Sequence, residues 1–106
     1  MRNSLWLSGI ATIGAALLLA GTASAAPATS IRKDGTYRVG VDIVAGLYHS
    51  DGGGDFCYWE RKSGFGGTFD EIIANGLTEG GPVSVAIAPS DAGFETSGCG
   101  TWVLQS

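Results

Sequence analysis

Residues 51–67 read Asp-Gly-Gly-Gly-Asp-Phe-Cys-Tyr-Trp-Glu-Arg-Lys-Ser-Gly-Phe-Gly-Gly, a run of β-forming side chains between two glycine clusters. Three consecutive glycines lose too much backbone entropy to lie inside a strand, so each cluster predicts a loop. The segment between them, Phe56 to Lys62, is then a strand with alternating faces. We expect Cys57 and Trp59 to share the buried face, with Trp59 packed in the core. The opposite face carries Tyr58, Glu60 and Lys62.

Short segments with period-two alternation continue on both sides of this strand, separated by glycine, proline, asparagine or aspartate. Asn75-Gly76 predicts a tight turn, and Asp70-Glu71 would also suit a first helical turn. The other expected strands are 36–41, 47–50, 69–74, 83–88, 94–96 and 101–105. The predicted fold class is therefore all-β, a small antiparallel β-sandwich or barrel of about seven short strands with one disulfide.

The disulfide is expected because Cys57 and Cys99 are the two cysteines of the chain, and an exported location permits oxidation. On the chain-entropy model, closing a loop of about 43 residues contributes about 4 kcal/mol. A zinc site would need more ligands than two cysteines and one histidine, and a redox pair would be expected as Cys-x-x-Cys. We therefore predict a structural bridge and no metal.

Export is predicted by the first 25 residues, which combine Arg2, an apolar run over 5–20 and the small residues of 23–25. That order is typical of a secretory signal peptide cleaved after Ala25. The apolar run is about 16 residues long, whereas a membrane-spanning helix needs about 20, although an uncleaved anchor is the alternative. The first cysteine, Cys57, lies far from the cleavage site, so lipid anchoring is not expected.

The remaining 81 residues divide into a flexible leader, 26–33, and a domain, 34–106. Residues 26–33 show no apolar periodicity, which is typical of a tether. Without Arg2, five basic residues oppose ten acidic ones, for a formal charge of −5. Such a chain is a poor partner for nucleic acid or anionic lipid. We expect a secreted monomer without a stable membrane anchor.

Several spaced motifs carry a resemblance over Asp34 to about Val103. They are Tyr37-x-Val39-Gly40-x-Asp42-Ile43-x-x-Gly46-x-Tyr48, Cys57-Tyr58-Trp59, Ile72-Ile73-Ala74-Asn75-Gly76 and Phe94-x-Thr96-x-Gly98-Cys99-Gly100-Thr101-Trp102. The chain resembles small exported proteins and lipoproteins of Gram-positive actinobacteria, and its opening half resembles a wider Gram-positive surface module. The resemblance implies a compact, cysteine-bridged β domain at or beyond the cell envelope, and it implies no activity. Unlike the lipid-anchored relatives, this chain has no cleavage-site cysteine.

Catalytic and metal signals are weak. His49 is the one histidine, and its neighbour Ser50 should point to the opposite face, so the local cluster cannot form a triad by itself. Ser84 or Asp70 would be distant partners. Acidic residues in glycine-rich loops suggest calcium as an alternative, but their spacing matches no calcium loop. Those residues are Asp51, Asp55, Asp70 and Glu71.

Exposed aromatic rings beside polar groups would suit stacking on sugars or on a protein. The candidate ligand-binding residues are Tyr48, Tyr58, Phe65 and Trp102, although alternation leaves open whether Trp102 is core or surface. We therefore expect a secreted, non-catalytic binding or envelope-associated module without a cofactor, its partner an envelope protein or glycan. The alternatives are a small secreted hydrolase using His49 and a secreted protease inhibitor.

Overall fold

The computed structural model describes residues 25–106 and forms eight strands in that range. The strands are β1 (Ser30–Ile31), β2 (Gly35–Arg38), β3 (Gly46–Ser50), β4 (Cys57–Lys62), β5 (Ile72–Thr78), β6 (Val83–Ile87), β7 (Gly93–Ser97) and β8 (Trp102–Leu104). A 3₁₀ turn, Phe69–Glu71, leads into β5. The signal peptide predicted for residues 1–25 lies outside the described residues, apart from Ala25.

The strands form two four-stranded sheets. Sheet 1 has the order β1-β8-β3-β6 and sheet 2 has the order β2-β7-β4-β5. Every neighbouring pair within them is antiparallel. The all-β sandwich expected from the sequence is therefore confirmed, with eight described strands where about seven were predicted.

The core lies between the sheets, where Trp102 of sheet 1 meets Phe94 of sheet 2. Their ring centroids are 5.3 Å apart with the planes at 88°, an edge-to-face contact, and neither ring is exposed to solvent. Trp59 covers the other side of Phe94, at 6.4 Å and 20°. Trp59 therefore packs against the core on the same face of β4 as Cys57, as the alternation predicts.

The disulfide ties sheet 2 to the connection that crosses to sheet 1. Cys57 opens β4, Cys99 lies in the connection from β7 to β8, and the two are bonded with their Cα atoms 4.4 Å apart. Both residues are buried. The predicted Cys57–Cys99 bridge is confirmed.

The leader predicted over 26–33 is not a free tether. Ser30 and Ile31 pair with Val103 and Trp102, and the Ala28 amide donates to the Asp42 carbonyl at 2.9 Å. The Ile31 side chain is buried in the core. A two-residue strand is too short to show periodicity, so this start of the ordered domain upstream of Asp34 could not be predicted from the pattern.

The tight turn predicted at Asn75-Gly76 is wrong, because both residues lie inside β5. Gly76 stands opposite Trp59 in the ladder between β4 and β5. A Cβ atom at Gly76 would lie 2.6 Å from Trp59 Nε1, so glycine is needed here for the close approach of the indole. The predicted strand 69–74 is correspondingly displaced, with Phe69–Glu71 in the 3₁₀ turn and β5 continuing to Thr78.

We expect Gly76→Ala to destabilise the domain by about 1–3 kcal/mol, because the indole of Trp59 must shift from its packed position. Gly54→Ala is the matched control, since a Cβ atom there meets nothing within 4 Å. Urea unfolding followed by tryptophan fluorescence gives both values. Equal effects of the two substitutions would contradict the packing role assigned to Gly76.

Candidate functional site

The structure separates the four aromatic residues predicted to bind a ligand. Tyr48 and Trp102 are fully buried, so their prediction as exposed contact residues is wrong. Tyr58 is half-buried and Phe65 is 53% exposed. Both reach the outer face of sheet 2, which faces away from the core.

Two local features explain the burial. In β3, Leu47 and Tyr48 are adjacent, so alternation alone cannot say which of them faces inward, and a shift by one residue exchanges the faces. Tyr48 faces inward, and its hydroxyl donates to the Val44 carbonyl at 2.7 Å. Trp102 lies in sheet 1, because the chain crosses between sheets at Gly98 and Gly100, where φ is +76° and +72°. The alternation of faces counted from Cys99 therefore does not predict which way the Trp102 side chain points.

The outer face of sheet 2 carries a connected polar network. Lys62 Nζ donates to Glu60 Oε2 at 2.9 Å and to Glu95 Oε1 at 3.4 Å. Tyr58 Oη donates to Glu60 Oε1 at 2.6 Å and accepts from the Asn75 amide at 3.3 Å. The strand register produces this grouping, because both Asn75 and Glu95 stand directly opposite Glu60. Glu60 and Lys62 are each only 8% exposed, which is unusual for charged residues.

Hydrogen bonding sets the ionisation of this network. The Tyr58 hydroxyl, followed by the Lys62 ammonium, lowers the pKa of Glu60. The hydrogen bond to Glu60 raises the pKa of Lys62 and also raises that of Tyr58. Glu60 and Lys62 are therefore an ion pair at neutral pH, and both lie on β4, which is flanked by β7 and β5.

The depressed pKa of Glu60 makes the stability of the domain depend on pH. A carboxylate with a lowered folded pKa stabilises above its unfolded pKa, and that contribution is lost as pH falls through the folded value. We expect Glu60→Gln to cost about 1–3 kcal/mol near neutral pH, since Lys62 loses its main partner. The difference from the native protein should shrink at about pH 3. Glu79→Gln, at an exposed position, is the control, and a cost independent of pH would refute this ion pair.

The connection from β4 to β5, residues 63–71, forms a wall beside this network. The Ser63 amide donates to the Glu71 carbonyl at 2.8 Å, and the Gly66 amide donates to Glu71 Oε1 at 2.6 Å. Phe65 lies against the Gly93 backbone, where an added Cβ atom would stand 2.5 Å from its ring. These contacts give the connection a defined shape and leave the next aromatic residue, Phe69, 91% exposed.

Between this wall and the sheet lies a cavity of about 240 Å³, which we call the loop groove. Its polar floor is formed by Glu60, Lys62 and Glu95 of this network, and its apolar side is formed by Phe69 and Ile72. The lining residues are Glu60, Lys62, Gly67, Thr68, Phe69, Ile72 and Glu95. The loop groove therefore combines hydrogen-bonding groups with an exposed ring, which is the composition of a small-ligand site.

A larger cavity, about 560 Å³, lies between the start of the described chain and residues 36–43. Its charged residues, Arg38 and Asp42, already pair with each other at 3.3 Å. Its wall includes Ala25, which the predicted signal cleavage would remove. The loop groove, built from strands and an anchored connection, is the better candidate.

His49 lies on the outer face of sheet 1. Its Nδ1 is 3.1 Å from Ser84 Oγ and its Nε2 is 3.4 Å from Asp51 Oδ1, so the structure brings together the histidine and the distant serine considered from the sequence. Ser50 points inward, as predicted, and donates to the Cys99 carbonyl. The Asp51 side chain is fully exposed, and neither cavity described above touches His49 or Ser84.

Within residues 25–106, no three or more His, Cys, Asp or Glu side chains are grouped to hold a metal ion. In this described range there is also no helix long and apolar enough to span a membrane. Glu71, one of the acidic residues considered for calcium, directs a carboxylate oxygen to the Gly66 amide. The two carboxylates on the outer face of sheet 2, Glu60 and Glu95, pair with Lys62.

Tyr58 and Phe65, predicted from the sequence, lie beside the loop groove, but four residues that line it were not predicted as site residues: Glu60, Lys62, Phe69 and Glu95. Glu60 and Lys62 were correctly placed on the face opposite Cys57, and their alternation with Tyr58 was the available signal. No local sequence signal marks Glu95 or Phe69. The position of Glu95 depends on the strand register, and that of Phe69 depends on the shape of the connection.

A two-sheet sandwich with a buried disulfide and a wall-forming loop defines the chain as a small, disulfide-bridged β domain. Residues 29–103 match the family model of the Rv1352-like extracellular domain, and the chain belongs to that family. The domain is therefore extracellular. The expected resemblance to a family of exported proteins is confirmed, and the detailed motif pattern stays a prediction.

Relatives of this chain occur in mycobacteria. The uncharacterized protein Rv1352 of Mycobacterium tuberculosis (strain ATCC 25618 / H37Rv) is 31% identical over 105 residues, covering 87% of this chain and 85% of its own length. The uncharacterized protein Mb1387 of Mycobacterium bovis shows the same identity and coverage. No solved structure matches the chain.

Proposed function

We propose that this extracellular domain is a non-catalytic binding module and that the loop groove, with Tyr58 and Phe65 beside it, is its contact face. The observation that carries the proposal is Phe69, whose ring is 91% exposed at the edge of a groove with a buried polar floor. Burying a phenylalanine side chain contributes about 1.5–3 kcal/mol, so a partner that covers this ring gains affinity. The partner is an envelope protein or glycan.

The surface beside the loop groove supports the same face. Ile73 and Leu77 are 45% and 62% exposed on the edge strand β5, and Leu77 stands opposite Tyr58. With Phe65 and Phe69 they place four apolar side chains around one polar network. Exposed apolar side chains grouped in this way on one face are typical of an interaction surface.

We expect Phe69→Ala to weaken binding of the secreted protein to cell-envelope fractions by roughly tenfold, because the variant loses the exposed ring. Stability should hardly change, since Phe69 packs against little of the domain. The assay is a pull-down of purified, oxidised protein at a series of concentrations.

Phe56→Ala is the matched control, because Phe56 is 57% exposed at the other end of β4, about 20 Å along the strand from Lys62. His49→Ala, on the outer face of sheet 1, should also bind normally. Equal binding by the Phe69 and Phe56 variants would refute the loop groove as the contact face. Loss of binding with His49→Ala would instead favour a site on sheet 1.

A further inference from the structure

We propose that the loop groove binds an uncharged sugar ring. The inference rests on the proposed function, and it adds the chemical class of the ligand. Three observations support it. They are the arrangement of charges on the groove floor, the unused hydrogen-bonding capacity of Lys62 and Glu95, and the volume of the cavity.

The floor disfavours charged ligands of either sign. An anion approaching Lys62 would also meet Glu60 and Glu95, which are 2.9 and 3.4 Å from its ammonium. A cation approaching Glu95 would meet that same ammonium. Like charges at this distance repel, and a partly desolvated site screens the repulsion poorly. A neutral ligand avoids both penalties.

Within residues 25–106, the groove floor has one donor and one acceptor that are not yet used, on Lys62 and Glu95. The Lys62 ammonium has three N–H donors and uses two of them, on Glu60 and Glu95. Glu95 uses Oε1 for Lys62 and for the Thr36 hydroxyl at 3.5 Å, while Oε2 has no hydrogen bond within residues 25–106. Its side chain is 38% exposed, so Oε2 can accept from a ligand. Sugar hydroxyls both donate and accept, which matches this pair.

The apolar side of the groove matches the other surface of a sugar. The C–H face of a pyranose is apolar and stacks on aromatic rings, and Phe69 presents such a ring at the edge of the groove. The cavity of about 240 Å³ is below the roughly 300–1,000 Å³ of pockets for drug-sized ligands. It therefore suits one sugar unit, with a longer chain continuing over Ile73 and Leu77 on β5.

The test is a titration of the isotope-labelled secreted protein, followed by amide NMR shifts at Gly67, Thr68 and Glu95. The probes are the methyl glycosides of glucose, galactose, mannose and N-acetylglucosamine, and disaccharides of each. A lysine-rich peptide and heparin are the charged comparisons. We expect saturable shifts with at least one neutral probe and none with heparin. Phe69→Ala should raise the Kd roughly tenfold, and Phe56→Ala should leave it unchanged.

Glu95→Gln distinguishes a neutral ligand from a cation. The glutamine amide can still hydrogen-bond a sugar hydroxyl, which both donates and accepts, so sugar binding should stay within about threefold and should not respond to salt. Peptide binding that salt and Glu95→Gln both abolish would overturn the sugar inference, and so would the absence of saturable shifts with every neutral probe. In either case the proposed function survives if Phe69→Ala still reduces envelope binding, and it fails if that variant binds normally.

Discussion

Replacing Cys57 and Cys99 together by alanine should lower the melting temperature by about 15–30 °C. The bond closes a segment with a sequence separation of 42, and on the chain-entropy model its loss costs about 4 kcal/mol. In a domain of 60–100 residues each kcal/mol shifts the melting temperature by about 4–8 °C. A cost of this size is comparable to the whole net stability of many small domains.

Alanine is the suitable replacement because both cysteines are buried, where serine would add an unpaired hydroxyl. The measurement is a circular-dichroism melt with and without reductant. Reductant should bring the native protein close to the double variant and should leave the variant unchanged. A double variant that melts with the native protein would show that the bridge does not stabilise this fold.

Trp102→Ala should cost about 3–5 kcal/mol, the range for deleting a buried aromatic side chain from a packed core. Trp102 has no solvent exposure, meets Phe94 edge-on, and donates from Nε1 to Thr96 Oγ1 at 2.8 Å. The substitution therefore leaves a cavity between the sheets and also removes the partner of a buried hydroxyl. Urea unfolding measures the loss.

Thr96→Val separates the hydrogen bond from the packing. It keeps the shape of the side chain and removes the acceptor for Trp102 Nε1, so we expect a cost of about 1–3 kcal/mol. Trp102→Ala should exceed that value clearly. If Trp102→Ala cost less than Thr96→Val, the indole would not be the central element of the core.

Much of the fold could be predicted from local patterns. Alternation around Cys57 placed Trp59 on the core side, and glycine clusters marked the loops on either side of β4. Alternation failed where two large side chains are adjacent, as at Leu47 and Tyr48. It also failed at Gly76, where glycine serves an approach by Trp59 from the neighbouring strand and not a turn.

The candidate site was less predictable because it is assembled across strands. Glu95 joins Lys62 only through the register between β4 and β7, which no local pattern specifies. Phe69 becomes exposed because the connection before β5 is held by Glu71 and Phe65. Tyr58 and Phe65 were predicted because exposed aromatic residues beside polar ones carry a signal in the sequence itself.

The most direct test of the loop groove as the contact face is photo-crosslinking of the secreted protein on intact cells. A benzophenone side chain would replace Phe69 in one protein and Phe56 in another, and both rings are exposed in the native domain. We expect a discrete crosslinked product from position 69, reduced by excess unlabelled native protein, and none from position 56. Products of equal yield from both positions, or a product from position 56 alone, would contradict the loop groove as the contact face.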